Sequence, residues 1–133
     1  MSYIVEKDWI TESGLRAVVV MAHHGCRCGY VGVPKDHNLY GVEYSDLYDD
    51  FYPEVHGGLT YSRDSSSNYP VESDLWWFGY DCAHLWDAPS PEYMQQNPDH
   101  YQWLEPGAMH RSLNYCVTEC ENLANQLNDY VPL

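Results

Sequence analysis

Two stretches of the chain carry nearly unbroken apolar runs rich in β-branched residues, 15–22 (LRAVVVMA) and 28–33 (CGYVGV). Runs of this length and composition predict strands, and the HHGCR segment between them suits a hairpin with a longer, glycine-containing loop. Residues 9–11 add an edge strand ahead of the Glu12-Ser13-Gly14 turn. Pro34 ends the second strand because it cannot donate a ladder hydrogen bond. Ser45 would cap a short helical turn running to Tyr52, closed before Pro53.

A second pair of strands is expected at 55–61 (VHGGLTY) and 75–82 (LWWFGYDC), joined by the polar, turn-rich segment 62–74, which predicts an exposed, mobile loop. Residues 83–108 show little periodicity, although Ser90-Pro91-Glu92 could open a short helix. The clearest pattern lies at the end. Leu113, Cys116, Val117, Cys120, Leu123, Ala124, Leu127 and Val131 recur at three- and four-residue steps, with Glu119, Glu121, Asn125 and Asp129 between them. The chain contains no internal repeat and no long linker. Residues 1–133 therefore read as one α+β domain: an antiparallel sheet of about four to five strands with a C-terminal amphipathic helix packed on one face.

Alternation along a strand separates two rows of side chains. In 55–61, Val55, Gly57, Leu59 and Tyr61 oppose His56, Gly58 and Thr60. In 75–82, the apolar row Trp76, Phe78, Tyr80 and Cys82 opposes Trp77, Gly79 and Asp81. With the apolar rows under the helix, the expected far face gathers His56, Gly58, Thr60, Trp77, Gly79 and Asp81. His84 and Asp87 follow at the strand's end. Glycines there would leave hollows, Trp77 a stacking surface, and the polar groups directional bonds. The competing expectation is that loop 83–108 or a second subunit covers this face.

Charge narrows the choice of partners. The chain has 6 Lys plus Arg against 20 Asp plus Glu, a net charge of -14, which excludes nonspecific binding to nucleic acid or anionic membranes. No apolar run is long enough for a membrane span, and the N-terminus lacks the basic and apolar regions of a signal peptide, so a cytoplasmic location is expected. The five cysteines are an odd number in such a chain and argue against a disulfide framework. Cys116 and Cys120 read as core residues. HHGCRC lacks the paired spacing of a structural zinc site, so free thiols in a turn are expected. No nucleophile elbow, phosphate loop, HExxH or HxHxD pattern occurs. Tyr30, Tyr40, Tyr44, Tyr48, Tyr52 and Tyr61 exceed what a core needs, and a homo-oligomeric interface is their simplest use.

Three blocks in order, CRCGYVGVPKDHNLYGVEY, VHGGLTYS and WWFGYDCAHLWDAP, resemble a family of short uncharacterised proteins encoded in bacteriophage and prophage genomes. The resemblance covers roughly residues 26–87, and the C-terminal helix loosely; the HHGC and PEYMQQNPDHYQW stretches depart from the pattern. His37, Tyr40, Gly41, His56, Gly57, Gly58, Thr60, Tyr61, Asp81 and His84 lie in the matching blocks. The resemblance implies a small phage accessory protein in the host cytoplasm, with a counter-defence role.

Three functions then compete. The first is sequestration, without catalysis or cofactor, of a nucleotide-like signal in a pocket formed partly at a subunit interface and including His37, Tyr40, His56, Gly57, Gly58, Thr60, Trp77, Gly79, Asp81 and His84. An adenine-type ring would stack on Trp77, and phosphates would meet Arg16, Arg27, Arg63 or Arg111 and the Gly57-Gly58 backbone. The second is an acidic inhibitor that binds a host defence protein directly, by imitating nucleic acid or capping a basic surface. The third is a metal-dependent hydrolase acting on a nucleotide, with His37, His56, Asp81 and His84 as candidate ligands.

Overall fold

The computed structural model describes residues 2–47, 51–99 and 104–132. Its strands are β1 (Ile4–Ile10), β2 (Arg16–Met21), β3 (Arg27–Val33), β4 (Tyr61–Arg63) and β5 (Trp76–Asp81). Its helices are α1 (Tyr44–Leu47), α2 (Pro91–Gln96) and α3 (Leu113–Asn128). The strands form one antiparallel sheet in the order β1-β2-β3-β5-β4, and α3 packs on one face of it. The α+β architecture expected from the pattern is the architecture found.

β2 and β3 lie inside the sheet and are covered on both sides, which is why their sequences are continuous apolar runs and do not alternate. Ala17, Val19, Val31, Val33, Trp76, Phe78 and Tyr80 point toward α3 and meet Cys116, Cys120, Leu123, Ala124 and Leu127. Ser112 caps α3 by accepting from the Tyr115 N–H at 3.0 Å. β1 is longer than expected and forms an edge. A register shift between Val5 and Lys7 and the ion pairs Asp8–Arg16 and Glu6–Arg27 blunt that edge against further pairing.

The opposite face is sealed by the chain itself. Val18, Val20, Cys28, Tyr30 and Trp77 pack there against Tyr3, Tyr61, Tyr69, Val71 and Leu75. The segment between β4 and β5 is therefore only partly the exposed loop expected: Asp64 and residues 66–68 are exposed, but 69–75 folds back as a lid. The Tyr69 and Tyr30 hydroxyls meet at 2.7 Å, and the Tyr3 O–H donates to the Pro70 carbonyl at 3.0 Å. Of the surplus tyrosines, Tyr30, Tyr40, Tyr44 and Tyr61 turn inward and Tyr52 is exposed; Tyr48 lies outside the described residues.

The register explains two glycines. Gly29 pairs with Tyr80 and Tyr30 with Gly79. Each tyrosine ring lies over the glycine opposite, where a side chain would otherwise stand. The hollow at Gly79 is thus filled by Tyr30, not left for a ligand.

One expected strand is absent. Residues 55–60 form no strand: Gly57 and Gly58 hold φ angles of 69° and 80°, and the Gly58 N–H closes a turn onto the Val55 carbonyl at 2.8 Å. Two consecutive left-handed glycines fold the chain where alternation implied a strand. The strand that pairs with β5 is Tyr61–Arg63, and the Thr60 N–H just ahead of it donates to the Gly79 carbonyl at 2.9 Å.

Candidate functional site

With 55–60 folded as a turn, the expected far-face cluster divides. Trp77 is fully buried under the 69–75 lid, with its indole N–H donating to Ser73 Oγ at 3.1 Å, so it offers no stacking surface. Thr60 donates to Asp81 at 3.1 Å at the sheet's end. His56 moves to the other side of the sheet, beneath the first turns of α3. There its backbone N–H donates to Glu119 Oε1 at 2.7 Å, and its Nδ1 lies 2.7 Å from the Tyr115 hydroxyl.

His56 meets a buried carboxylate. The Asp87 side chain has no exposed surface and sits in the turn after β5, where its N–H donates to the His84 carbonyl at 2.9 Å. Oδ2 accepts from the His84 N–H at 3.1 Å and lies 2.9 Å from both His84 Nδ1 and His56 Nε2. Oδ1 accepts from Arg111 Nε at 2.9 Å. Burial pushes the Asp87 pKa up, but the bonds from His56, Arg111 and His84 outweigh it and hold the group below the ordinary carboxylate value.

His84 is fixed on three sides. Its ring stacks on Trp86 with centroids 4.7 Å apart and planes 2° from parallel. Its other nitrogen, Nε2, lies 3.8 Å from Asp81 Oδ1. The ring also occupies the space of an absent Gly57 side chain, so the glycine both turns the chain and admits the imidazole.

Of the four candidate ligands, the fold brings together His56 and His84, with Asp81 behind His84. His37 is elsewhere. Its Nε2 contacts the Leu127 carbonyl at 3.1 Å, and Leu127 is about 18 Å along α3 from Tyr115 at 1.5 Å per residue. Tyr40 packs against Trp76 in that same distant region. The arginines do not converge on the turn at Gly57-Gly58. Arg16 is paired with Asp8 and Arg27 with Glu6, Arg63 is exposed on β4, and Arg111 alone reaches the cluster.

In the sequence Asp87 stands out with His37, His56, Asp81 and His84 as a residue of metal-binding type, although the ligand set chosen omits it; Glu119 is legible only as part of the polar face of the helix, and nothing gave Tyr115 or Trp86 a role. A three-residue spacing between His84 and Asp87 was the local signal. Tyr115 and Glu119 share one stripe of α3, but nothing local said that His56 would lie beneath it.

Among the described residues, His56, His84 and Asp87 form the group able to offer three metal ligands, with candidate atoms within 4.8 Å of one another. Two ligand atoms on a tetrahedral ion, each about 2.0–2.2 Å from it, stand about 3.3–3.6 Å apart; both nitrogens lie 2.9 Å from Asp87 Oδ2, in hydrogen-bond contact that has to open by about half an ångström to admit an ion. The outer nitrogen of His56, Nδ1, is hydrogen-bonded to the Tyr115 hydroxyl, whereas that of His84, Nε2, has the Asp81 carboxylate nearby at 3.8 Å, too far for a hydrogen bond. Metal-bound imidazoles typically use an oxygen partner of the first kind to fix ring and tautomer. HHGCRC forms no comparable group among the described residues: Cys26 and Cys28 are buried thiols, and the Cys26 N–H donates to His24 Nδ1 at 3.2 Å. Every described buried side-chain polar atom is hydrogen-bonded.

Comparison of the chain with protein-family models, with curated proteins and with solved structures finds no match to any of them.

Proposed function

We propose that this protein is a divalent-metal-dependent hydrolase in which His56 Nε2, His84 Nδ1 and Asp87 Oδ2 hold the ion. One observation carries the reading: two imidazole nitrogens converge on one buried carboxylate, His84 Nδ1 at 2.9 Å from Oδ2 and His56 Nε2 at 2.9 and 3.0 Å from Oδ2 and Oδ1, while the outer nitrogen of His56 is hydrogen-bonded to Tyr115. Three protein ligands leave a position open, which is the arrangement of catalytic zinc sites, whereas structural sites are closed. An ion there supplies Lewis acidity and lowers the pKa of bound water. Imidazole and carboxylate together suit zinc, manganese or iron better than calcium. Arg111, on the second carboxylate oxygen, leaves Oδ2 to the ion. In the counter-defence setting that the phage resemblance implies, turnover would destroy a nucleotide-like signal where the sequestration reading would store it.

The test is calorimetric titration of chelator-stripped protein with Zn²⁺ and Mn²⁺, alongside elemental analysis of protein purified without chelators. One ion per chain is expected, lost in His56→Ala and His84→Gln and kept in His37→Ala. Wild-type protein that binds neither ion, or His84→Gln protein that binds as tightly as wild type, would overturn the assignment.

The acidic-inhibitor reading has separate support. Arg16, Arg27 and Arg111 are spent on carboxylates, and Lys7 lies over the Trp9 ring, so few cations remain to offset the acidic surface. A complex made this way should weaken steeply between low and high salt. A partner bound equally well at both would refute it.

A further inference from the structure

Resting on the metal reading, we propose that the substrate is a phosphodiester carrying a planar aromatic group, with its phosphoryl oxygens on Arg111 and its ring on the outer face of Trp86. Arg111 spends Nε on Asp87, and its two terminal amino groups make no hydrogen bond to any described residue. The guanidinium carbon lies 5.3 Å from the centre of the Tyr115 ring, and the side chain is one-fifth exposed. A guanidinium fixed at one end and open at the other presents the planar fork that binds phosphoryl oxygens, beside the oxygen assigned to the ion. In a chain of net charge -14, an anion would reach the centre only against repulsion, so a cation fixed there decides which substrates are held.

The number of charges follows from the neighbours. The ion's two charges and Arg111 are matched by Asp87, Asp81 and Glu119, leaving the centre close to neutral. A phosphodiester brings one negative charge and a phosphomonoester up to two, so the diester is favoured. Trp86 supplies the second contact. One face of its indole covers His84, yet the residue remains 47% exposed, flanked by Leu85 and Met109, which are 49% and 59% exposed. The platform is continuous with a ligand of the ion, so a ring stacked on it stays beside the reacting phosphorus. The reaction balances without a redox partner. Water forms a new bond to phosphorus and gives its proton to solvent; one ester P–O bond breaks, and the leaving oxygen takes a proton.

The test uses Zn²⁺- or Mn²⁺-loaded protein with bis(p-nitrophenyl) phosphate, p-nitrophenyl phosphate and p-nitrophenyl acetate. The metal content of every variant is measured in parallel. The diester should be turned over best. Arg111→Gln should lower its kcat/KM about 100-fold, a larger loss than for the acetate measured at equal metal content, and Arg111→Lys should restore only part. Trp86→Ala should raise the KM for the diester about tenfold, a larger change than in its KM for the acetate. In metal-free protein, where no turnover occurs, the diester should quench tryptophan fluorescence, and less in both Trp86→Ala and Arg111→Gln. Metal-loaded protein that prefers the acetate or the monoester, or an unchanged Arg111→Gln variant, overturns the substrate assignment and leaves the metal centre standing. Protein that binds no metal overturns both.

Discussion

Gly57→Ala separates the fold's contribution from the site's. The position costs an alanine twice, through its left-handed φ of 69° and through the His84 ring, which occupies the place of the new methyl group. Gly41 has φ of 83° and nothing within 4 Å of the corresponding position, so Gly41→Ala measures the backbone cost alone. That cost is about 1–2 kcal/mol. In Gly57→Ala the ring must also move, and its charge-assisted bond to a buried carboxylate adds about 1.5–3 kcal/mol. The expected totals are about 1–2 kcal/mol for the control and about 3–5 kcal/mol for Gly57→Ala, against a folding stability of about 5–15 kcal/mol. With a urea m-value of about 2 kcal/mol per molar, the two unfolding midpoints should differ by about 1 M. The Gly57 variant should also bind Zn²⁺ more weakly, while the Gly41 variant keeps wild-type affinity. Stabilities that agree within about 0.5 kcal/mol, the usual limit of additivity, would refute the argument that His84 is seated by the missing side chain.

Three further outcomes follow from burial. Trp77→Ala should cost about 3–5 kcal/mol by leaving a cavity under the 69–75 lid and should leave metal affinity unchanged; a small stability loss in urea unfolding would mean that the lid does not cover it. Burial pushes the thiols of Cys26, Cys28 and Cys120 up to about 11, about 12 and about 12 respectively, so at pH 8 these three should resist an aromatic disulfide reagent until urea is added. The same shifts set an alkaline limit. A group whose pKa is raised on folding stabilises the fold fully below its unfolded pKa and loses that effect as pH rises toward the folded value. Each of these thiols should therefore cost on the order of 1 kcal/mol by pH 10, read as a falling urea midpoint above pH 9. Replacing Cys120 with alanine should flatten that fall.

Much of the fold was legible because its signals are local. β2 and β3 are apolar runs closed by turn residues, and α3 carries a stripe at helical spacing, with Ser112 to cap it. The same logic misread 55–61, where strand alternation and a glycine turn compete within a few residues. The backbone angles of Gly57 and Gly58, which decided the matter, depend on what packs around them. The far face was misread for a related reason: Gly79 does mark a close approach, but the approaching group is Tyr30, its partner across the sheet.

The candidate site follows the same division. Sequence by itself determined the ingredients: acidic charge, His56 in one block, His84 and Asp87 three residues apart in another, and a C-terminal helix carrying Glu119 on its polar face. Only the tertiary structure decided the assembly. It excluded His37, selected Asp87 and Arg111 from the candidates, added Tyr115, and placed the group under α3 and not on the far face. The physical reason is range. Strand and helix patterns arise from contacts a few residues apart, whereas Asp87 is held by groups 31 residues before it and 24 after it, and no local pattern records a contact across that distance.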